Sequence, residues 1–133
     1  MDQRVYTWEY VFIETEIFTR GHGTISQSER ARLDFDLMQG HGENILDTGG
    51  LRRIRCGPGG YLGRSEEGWE VVFAKYTYAD IQKRFFWLLF KTPLTLDATL
   101  TEQDTDALRH LKERADYCMD LRYERLQEGE SRG

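Results

Sequence analysis

Cysteine and histidine, the usual ligands of structural metal ions, are scarce in this sequence of 133 residues. Cys56 and Cys118 lie far apart, whereas zinc ligands come in closely spaced pairs and disulfide scaffolds contain many more cysteines. His22, His41 and His110 are also scattered and share no ligand spacing. The sequence therefore predicts no metal site and two buried free thiols, as expected in a reducing compartment.

Long apolar runs and an excess of positive charge are missing too. The longest apolar stretch, Phe85 to Phe90, is far shorter than the roughly 20 residues that span a bilayer. The chain opens without a signal-peptide pattern. The net charge of −5 argues against a protein that binds nucleic acid over a broad basic surface. We expect a cytoplasmic protein without membrane contact, in which any RNA-binding cations form a local group.

What is present suffices for one folded domain. Apolar residues make up 39% of the chain and aromatic residues 13%, so a core is favoured over disorder. At this length we predict a single domain over residues 1–126. Residues 127–133 are rich in Glu, Ser and Gly and are predicted to form a flexible C-terminal tail. The glycine-rich stretch 57–68 lacks the Lys-Ser/Thr ending of a phosphate-binding P-loop, and no cofactor is predicted.

Two helices are predicted from their start signals and apolar spacing. Ser26 and Glu29 have the spacing of a capping box before a helix that stops at Gly40. The apolar positions of this helix are Ala31, Leu33, Phe35, Leu37 and Met38. Thr99 and Glu102 form a second such pair before a long C-terminal helix. The predicted buried stripe of this second helix contains Asp104, Leu108, Leu111, Ala115 and Cys118.

Four segments have the composition of strands, rich in β-branched and aromatic residues. They are Arg4 to Ile13, Leu51 to Cys56, Trp69 to Tyr78 and Phe85 to Lys91. The last is predicted to be a central strand that is buried on both faces. Short links between the last three strands favour antiparallel pairing. The predicted fold class is α+β, a small antiparallel sheet of about four strands with an N-terminal and a C-terminal helix packed on it.

Residues 47–55, DTGGLRRIR, resemble the signature of the HigB-type toxins of the RelE superfamily, in which a Thr-Gly-Gly turn opens an arginine-rich strand. The resemblance extends over most of the chain, because the order of strand, helix, three strands and helix also matches. It implies a RelE-like fold and the toxin of a type II toxin–antitoxin pair. Such a toxin is a ribosome-dependent mRNA endoribonuclease that inhibits translation. The implied partners are a cognate antitoxin of the helix-turn-helix type and the ribosome with its mRNA.

Metal-independent cleavage of RNA needs a base for the 2′-hydroxyl, positive charge near the phosphorane and an acid for the leaving oxygen. In RelE-type toxins these roles fall mostly to Lys, Arg and Tyr. The resemblance implies four catalytic residues in this chain: Arg55, Lys91, Arg64 and Tyr76. It further implies that Arg53 and Lys75 bind RNA. Strand alternation places Arg53 and Arg55 on one face and Ile54 and Cys56 on the other.

Acidic residues stand where the resemblance places further cations. Glu66 and Glu67 lie in the loop after the second strand, and Glu70 occupies the position of a catalytic Arg. Glu70 is therefore either a general base or a structural or surface carboxylate. These residues motivate an alternative function, a non-catalytic RelE-like module that binds protein and has lost the nuclease residues. A toxin directed at gyrase, as among relatives on this fold, is a third possibility.

Overall fold

The computed structural model of the chain describes residues 7–20, 25–57, 68–93 and 100–131. The elements within these ranges are β1 (Glu9–Glu14), α1 (Glu16–Arg20), α2 (Gln27–Met38), β2 (Glu43–Asn44), β3 (Arg52–Cys56), β4 (Trp69–Tyr78), β5 (Lys83–Thr92) and α3 (Glu102–Ser131). The predicted α+β class is confirmed. Helix α1 and strand β2 are additions to the prediction, because five and two residues are too few to show a periodic pattern.

The strands of the described residues form one sheet in the order β1-β5-β4-β3-β2. Strand β4 pairs antiparallel with both β3 and β5, as the short links predict. Strand β1 instead lies parallel to β5, with Phe12 opposite Phe86. The sheet is therefore mixed and has five strands, where about four antiparallel strands were expected. The long connection from β1 to β5 lets the chain return in the same direction, which a hairpin cannot do.

Both faces of the sheet carry a buried apolar cluster. One face, here called the α1–α2 face, packs on the first two helices through a cluster that includes Phe18, Leu33, Ile54, Val71 and Phe73. The opposite face, here called the α3 face, packs on the C-terminal helix through Leu51, Val72, Ala74, Leu108 and Ala115. Strand β5 contributes Phe86 to the first cluster and Leu89 to the second. This confirms the prediction that β5 is buried on both sides.

Helix α2 begins and ends as predicted but buries a narrower face. The Ser26 hydroxyl accepts a hydrogen bond from the backbone N–H of Glu29 at 3.2 Å. Leu33 and Leu37 are buried, whereas Phe35 is 52% exposed. Successive residues of a helix are about 100° apart, so Phe35 projects away from the side that carries Leu33 and Leu37.

The start of helix α3 lies two residues further along the chain than predicted. Thr101 and Asp104 form its capping box, in which each side chain accepts the backbone N–H of the other residue at 3.1–3.2 Å. Thr99, the predicted cap, lies outside the described residues. Glu102 is the first helical residue, whereas a cap at Thr99 would make residue 100 the first.

The buried stripe of α3 excludes one of the two cysteines. Ala115 and Met119, four positions apart, are buried, and Cys118 is exposed beside them. The prediction of a buried thiol is wrong for Cys118, because Met119 takes the inward position at this turn of the helix. For Cys56, which is buried on β3, the prediction is confirmed.

Helix α3 also continues through residues 127–131, where the sequence predicted a tail. An existing helix gains one backbone hydrogen bond for each residue added and does not need a new nucleus, so a polar composition alone does not end it. Residues 132–133 lie outside the described part. None of the helices in that part combines the length and the apolar character needed to cross a membrane.

Candidate functional site

The Thr-Gly-Gly segment folds into a turn that fixes where β3 begins. Thr48 is fully buried, and its hydroxyl donates to the carbonyl oxygen of Ile45 at 2.6 Å. Gly49 and Gly50 follow with φ angles of 79° and 115°, which glycine adopts without steric cost. Leu51 then enters the core of the α3 face. Thr48, Gly49 and Gly50 therefore have a structural role, which is to form the turn before β3. The arginines of the motif follow on that strand.

Strand β3 places its arginines on two different faces. Ile54 is buried in the cluster of the α1–α2 face, so Arg53 and Arg55 project from the α3 face, as strand alternation predicts. Both are partly buried. Arg52 points to the opposite face, where its guanidinium donates to the carbonyl oxygen of Gly42 at 2.8 Å. Two of the three arginines thus share one surface.

A buried carboxylate lies beside this arginine pair. Glu70 on β4 is directly opposite Arg55 on β3 and, on its other side, opposite Thr92 on β5. It is only 8% exposed. Burial raises the pKa of the Glu70 carboxyl, while the positive charges of Arg53 and Arg55 partly offset this shift. We call Arg53, Arg55 and Glu70 the Arg–Glu cluster.

Strand β2 adds a second carboxylate at the edge of the Arg–Glu cluster. Glu43 is opposite Arg53 in the β2–β3 pair, and its carboxylate lies 3.2 Å from the guanidinium. The Glu43 side chain is 76% exposed, so the pair is a surface contact that holds Arg53 in place only weakly. The sequence gives no signal for this contact, since a two-residue strand has no pattern of its own.

Lys91 lies on the face opposite to the Arg–Glu cluster. Leu88 is opposite Phe73 and Phe90 is opposite Val72, so Leu89 is an extra residue that forms a bulge in β5. After the bulge Lys91 is opposite Val71 and turns to the α1–α2 face. It is 7% exposed. Its Nζ donates to the Phe18 carbonyl oxygen and lies 4.6 Å from the centre of the Phe18 ring.

Tyr76 shares the α3 face with the Arg–Glu cluster but lies far from it. It lies six positions along β4 from Glu70, which is about 20 Å along a strand. Its hydroxyl donates to Asp116 of α3 at 2.6 Å, and Lys112 lies over its ring at 5.2 Å. Burial and the bond to Asp116 raise the Tyr76 pKa strongly. The hydrogen bond between Tyr76 and Asp116 therefore links α3 to the sheet.

Lys75 and Arg64 complete the predicted set. Lys75 is opposite Phe86 and so lies on the α1–α2 face. Burial, Arg84 and Arg52 lower its pKa. It lies four residues along β4 from the residue opposite Lys91, or about 13 Å. Arg64 lies outside the described residues, as do Glu66 and Glu67. Of the predicted site residues, the structure brings Arg53 and Arg55 together, and it adds Glu70 to them.

A cavity in the described part of the chain lies apart from the Arg–Glu cluster. A cavity of about 210 Å³ lies between α1 and α3 and is lined mainly by apolar side chains, among them Ile17, Trp87, Leu89 and Ala115. It contains none of the predicted site residues. Glu16 and Arg114 also line this cavity, but the sequence motif leads to the other site, so we take the Arg–Glu cluster as the candidate site.

Neither a metal site nor a relative adds to this assignment. Among the described residues, no group of three or more His, Cys, Asp and Glu side chains is placed to hold a metal ion. No protein-family model matches the chain, and a search of curated proteins finds no match.

Proposed function

We propose that this chain is the toxin of a type II toxin–antitoxin pair and that it cleaves mRNA on the ribosome. The observation that carries the proposal is the position of Arg53 and Arg55, side by side on the α3 face directly after the Thr-Gly-Gly turn. A guanidinium group binds phosphate at two points. Its charge stabilises the phosphorane that forms when a 2′-hydroxyl attacks the adjacent phosphate. The site of action is then the cytoplasm.

The charge balance of the chain favours an mRNA that the ribosome presents over free RNA. Two arginines and two glutamates make up the Arg–Glu cluster and its edge, and the whole chain carries a net charge of −5. Phosphate neutralisation alone would therefore give weak binding of free RNA. An mRNA bound to the ribosome is already held in a fixed orientation. This orientation raises the rate of cleavage even though the charge of the chain gives only weak binding of RNA. The antitoxin, a helix-turn-helix protein, would act by covering the cluster.

Inducible expression in bacteria tests the proposal. The wild-type chain should stop growth and protein synthesis, and Arg53→Gln and Arg55→Gln should relieve the arrest. Arg52→Gln is the matched control, because Arg52 lies on the same strand but faces the opposite side of the sheet. The control should arrest growth like the wild type. Normal growth with soluble wild-type protein accumulating would refute the proposal.

A non-catalytic protein-binding module is the second candidate, and exposed apolar side chains favour it. Phe35 and Met38, three positions apart on α2, are 52% and 38% exposed. Apolar residues three positions apart lie on the same side of a helix, and an exposed apolar patch is typical of a surface that binds another protein. Lys91 and Tyr76 also form hydrogen bonds within the fold. This agrees with a protein in which these two residues stabilise the structure and do not act in catalysis.

Co-expression with the product of a neighbouring helix-turn-helix gene tests this second candidate. Phe35→Ser should abolish co-purification if α2 forms the interface, while Tyr117→Ser, at an exposed position of α3, should have no effect. Cleavage of mRNA by the wild-type chain on translating ribosomes would exclude a non-catalytic module, whatever the chain binds.

A further inference from the structure

Glu70 lies beside Arg53 and Arg55, close enough for both charges to lower its pKa. It is directly opposite Arg55, and Arg53 is two residues away from Arg55 on the same face. Directly opposed side chains have Cβ atoms about 5 Å apart, and diagonal neighbours about 7–8 Å. A phosphate bound by the two arginines would therefore be adjacent to the Glu70 carboxylate.

The side chains around Glu70 on the neighbouring strands set the pKa of its carboxyl group. Strand β3 contributes Arg53 and Arg55, strand β2 contributes Glu43 behind Arg53, and strand β5 contributes the uncharged Thr92. Burial raises the pKa of Glu70, the two arginines lower it, and Glu43 raises it further. The pKa lies above the ordinary value of 4.5, which brings it nearer to the working pH at which a general base is most effective.

Three other groups with transferable protons, those of Lys91, Tyr76 and Glu43, already have partners. Lys91 donates to Phe18 on the opposite face, and Tyr76 donates to Asp116 at the far end of β4. Glu43 is exposed and lies against Arg53. Within the described part of the chain, Glu70 is thus the buried carboxylate next to the arginine pair.

We propose, resting on the ribonuclease function proposed above, that Glu70 is the general base of the reaction. Its carboxylate takes the proton of the RNA 2′-hydroxyl, and the 2′-oxygen forms a bond to the adjacent phosphorus. The bond from phosphorus to the 5′-oxygen breaks, and that oxygen takes a proton from water. The hydroxide left behind takes the proton from Glu70. The products are a 2′,3′-cyclic phosphate and a 5′-hydroxyl end, without a metal or a cofactor.

The test measures the rate of mRNA cleavage on purified translating ribosomes as a function of pH. Wild-type cleavage should rise with pH through the raised pKa of Glu70, because the base acts in its ionised form. Glu70→Gln should slow cleavage by about 10²–10⁴-fold and lose this rise. Glu70→Asp should cleave more slowly than the wild type but keep the rise. Glu9→Gln is the matched control, since Glu9 also faces a cation, Lys83, across a strand pair; it should match the wild type.

Each outcome separates the two proposals. A folded Glu70→Gln chain that cleaves at the wild-type rate overturns the role of Glu70 and leaves the ribonuclease function standing. A slow Glu70→Gln chain that keeps the wild-type rise with pH also overturns it, since Glu70 would then only position the arginines. A wild-type chain that does not cleave overturns both. Thermal unfolding of each variant at each pH shows that the compared chains are folded.

Discussion

The Nζ of Lys91 donates to the carbonyl oxygen of Phe18, so a side chain from β5 closes the last turn of α1. Phe18 belongs to the final residues of a helix, whose carbonyl groups have no partner within the helix. Lys91 supplies that partner and at the same time lies over the Phe18 ring. This contact ties α1 to the sheet and gives Lys91 a structural role on the face away from the Arg–Glu cluster.

Lys91→Met should destabilise the fold while filling most of the same space. The loss of a hydrogen bond from a charged donor leaves the Phe18 carbonyl buried without its partner, which costs about 2 kcal/mol of the free energy of unfolding. Urea denaturation measures this change. Lys83→Met is the control: Lys83 lies 3.4 Å from the largely exposed carboxylate of Glu9, so its loss should cost less than about 1 kcal/mol. Equal stabilities for the two variants would remove the structural role of Lys91.

The position of Lys91 also shows where sequence reasoning reached its limit. Strands β3, β4 and β5, the start of α2 and the alternation along β3 follow from local patterns, and the structure has them close to their predicted bounds. Strand β1 was predicted from Arg4, but within the described residues it begins at Glu9. Strict alternation along β5 from Leu88 would put Lys91 on the α3 face with Arg55. The extra residue Leu89 reverses this. A bulge depends on the pairing of two strands, so the sequence of β5 alone does not reveal it.

Tyr76→Phe should weaken the attachment of α3 to the sheet without affecting the Arg–Glu cluster. The Tyr76 hydroxyl loses its bond to Asp116, and the expected decrease in the free energy of unfolding is about 1 kcal/mol. Chemical denaturation followed by circular dichroism measures it. Tyr117→Phe, at a position of α3 that is 66% exposed, should leave stability unchanged. A Tyr76→Phe chain that stays fully stable but no longer arrests growth would point back to catalysis by Tyr76.

The two cysteines should differ sharply in reactivity. Burial, with the nearby charges of Glu29 and Asp36, raises the pKa of Cys56 to about 11, so little thiolate forms at pH 8. Cys118 is exposed. Ellman's reagent should therefore label one thiol per folded chain, and two in denaturant. Cys118→Ser should abolish the labelling of the folded chain, whereas rapid labelling of that variant would contradict the placement of Cys56.

The raised pKa of Glu70 predicts how stability changes with pH. The folded chain holds the Glu70 proton more tightly than the unfolded chain, so the free energy of unfolding falls as pH rises from 4.5 through the raised pKa. Glu70→Gln removes this decline, because glutamine does not titrate. Urea midpoints of the wild type and the variant, measured between pH 4 and 8, should diverge as pH rises, with the variant the more stable at high pH. Parallel curves would show that Glu70 titrates as an ordinary glutamate.

Only the two arginines of the Arg–Glu cluster could be predicted from the sequence, and the position of Glu70 beside them could not. The DTGGLRRIR segment and the two-residue period place Arg53 and Arg55 on one face, because both signals are local. That Glu70 lies directly opposite Arg55 depends on the register in which β3 pairs with β4. The separation of Tyr76 from the cluster likewise depends on the length of β4. These relationships are set by tertiary pairing, which no local pattern encodes.

The most direct test of the account compares Arg55→Gln with Lys91→Met in mRNA cleavage on translating ribosomes, at a temperature where both variants are fully folded. The two residues lie on opposite faces of the sheet, so the comparison locates the reaction. We predict that Arg55→Gln loses about 100-fold or more of the rate, as expected for the removal of a charge that stabilises the transition state. Lys91→Met should stay within a few-fold of the wild type. A rate that depends on Lys91 and not on Arg55 would contradict the account.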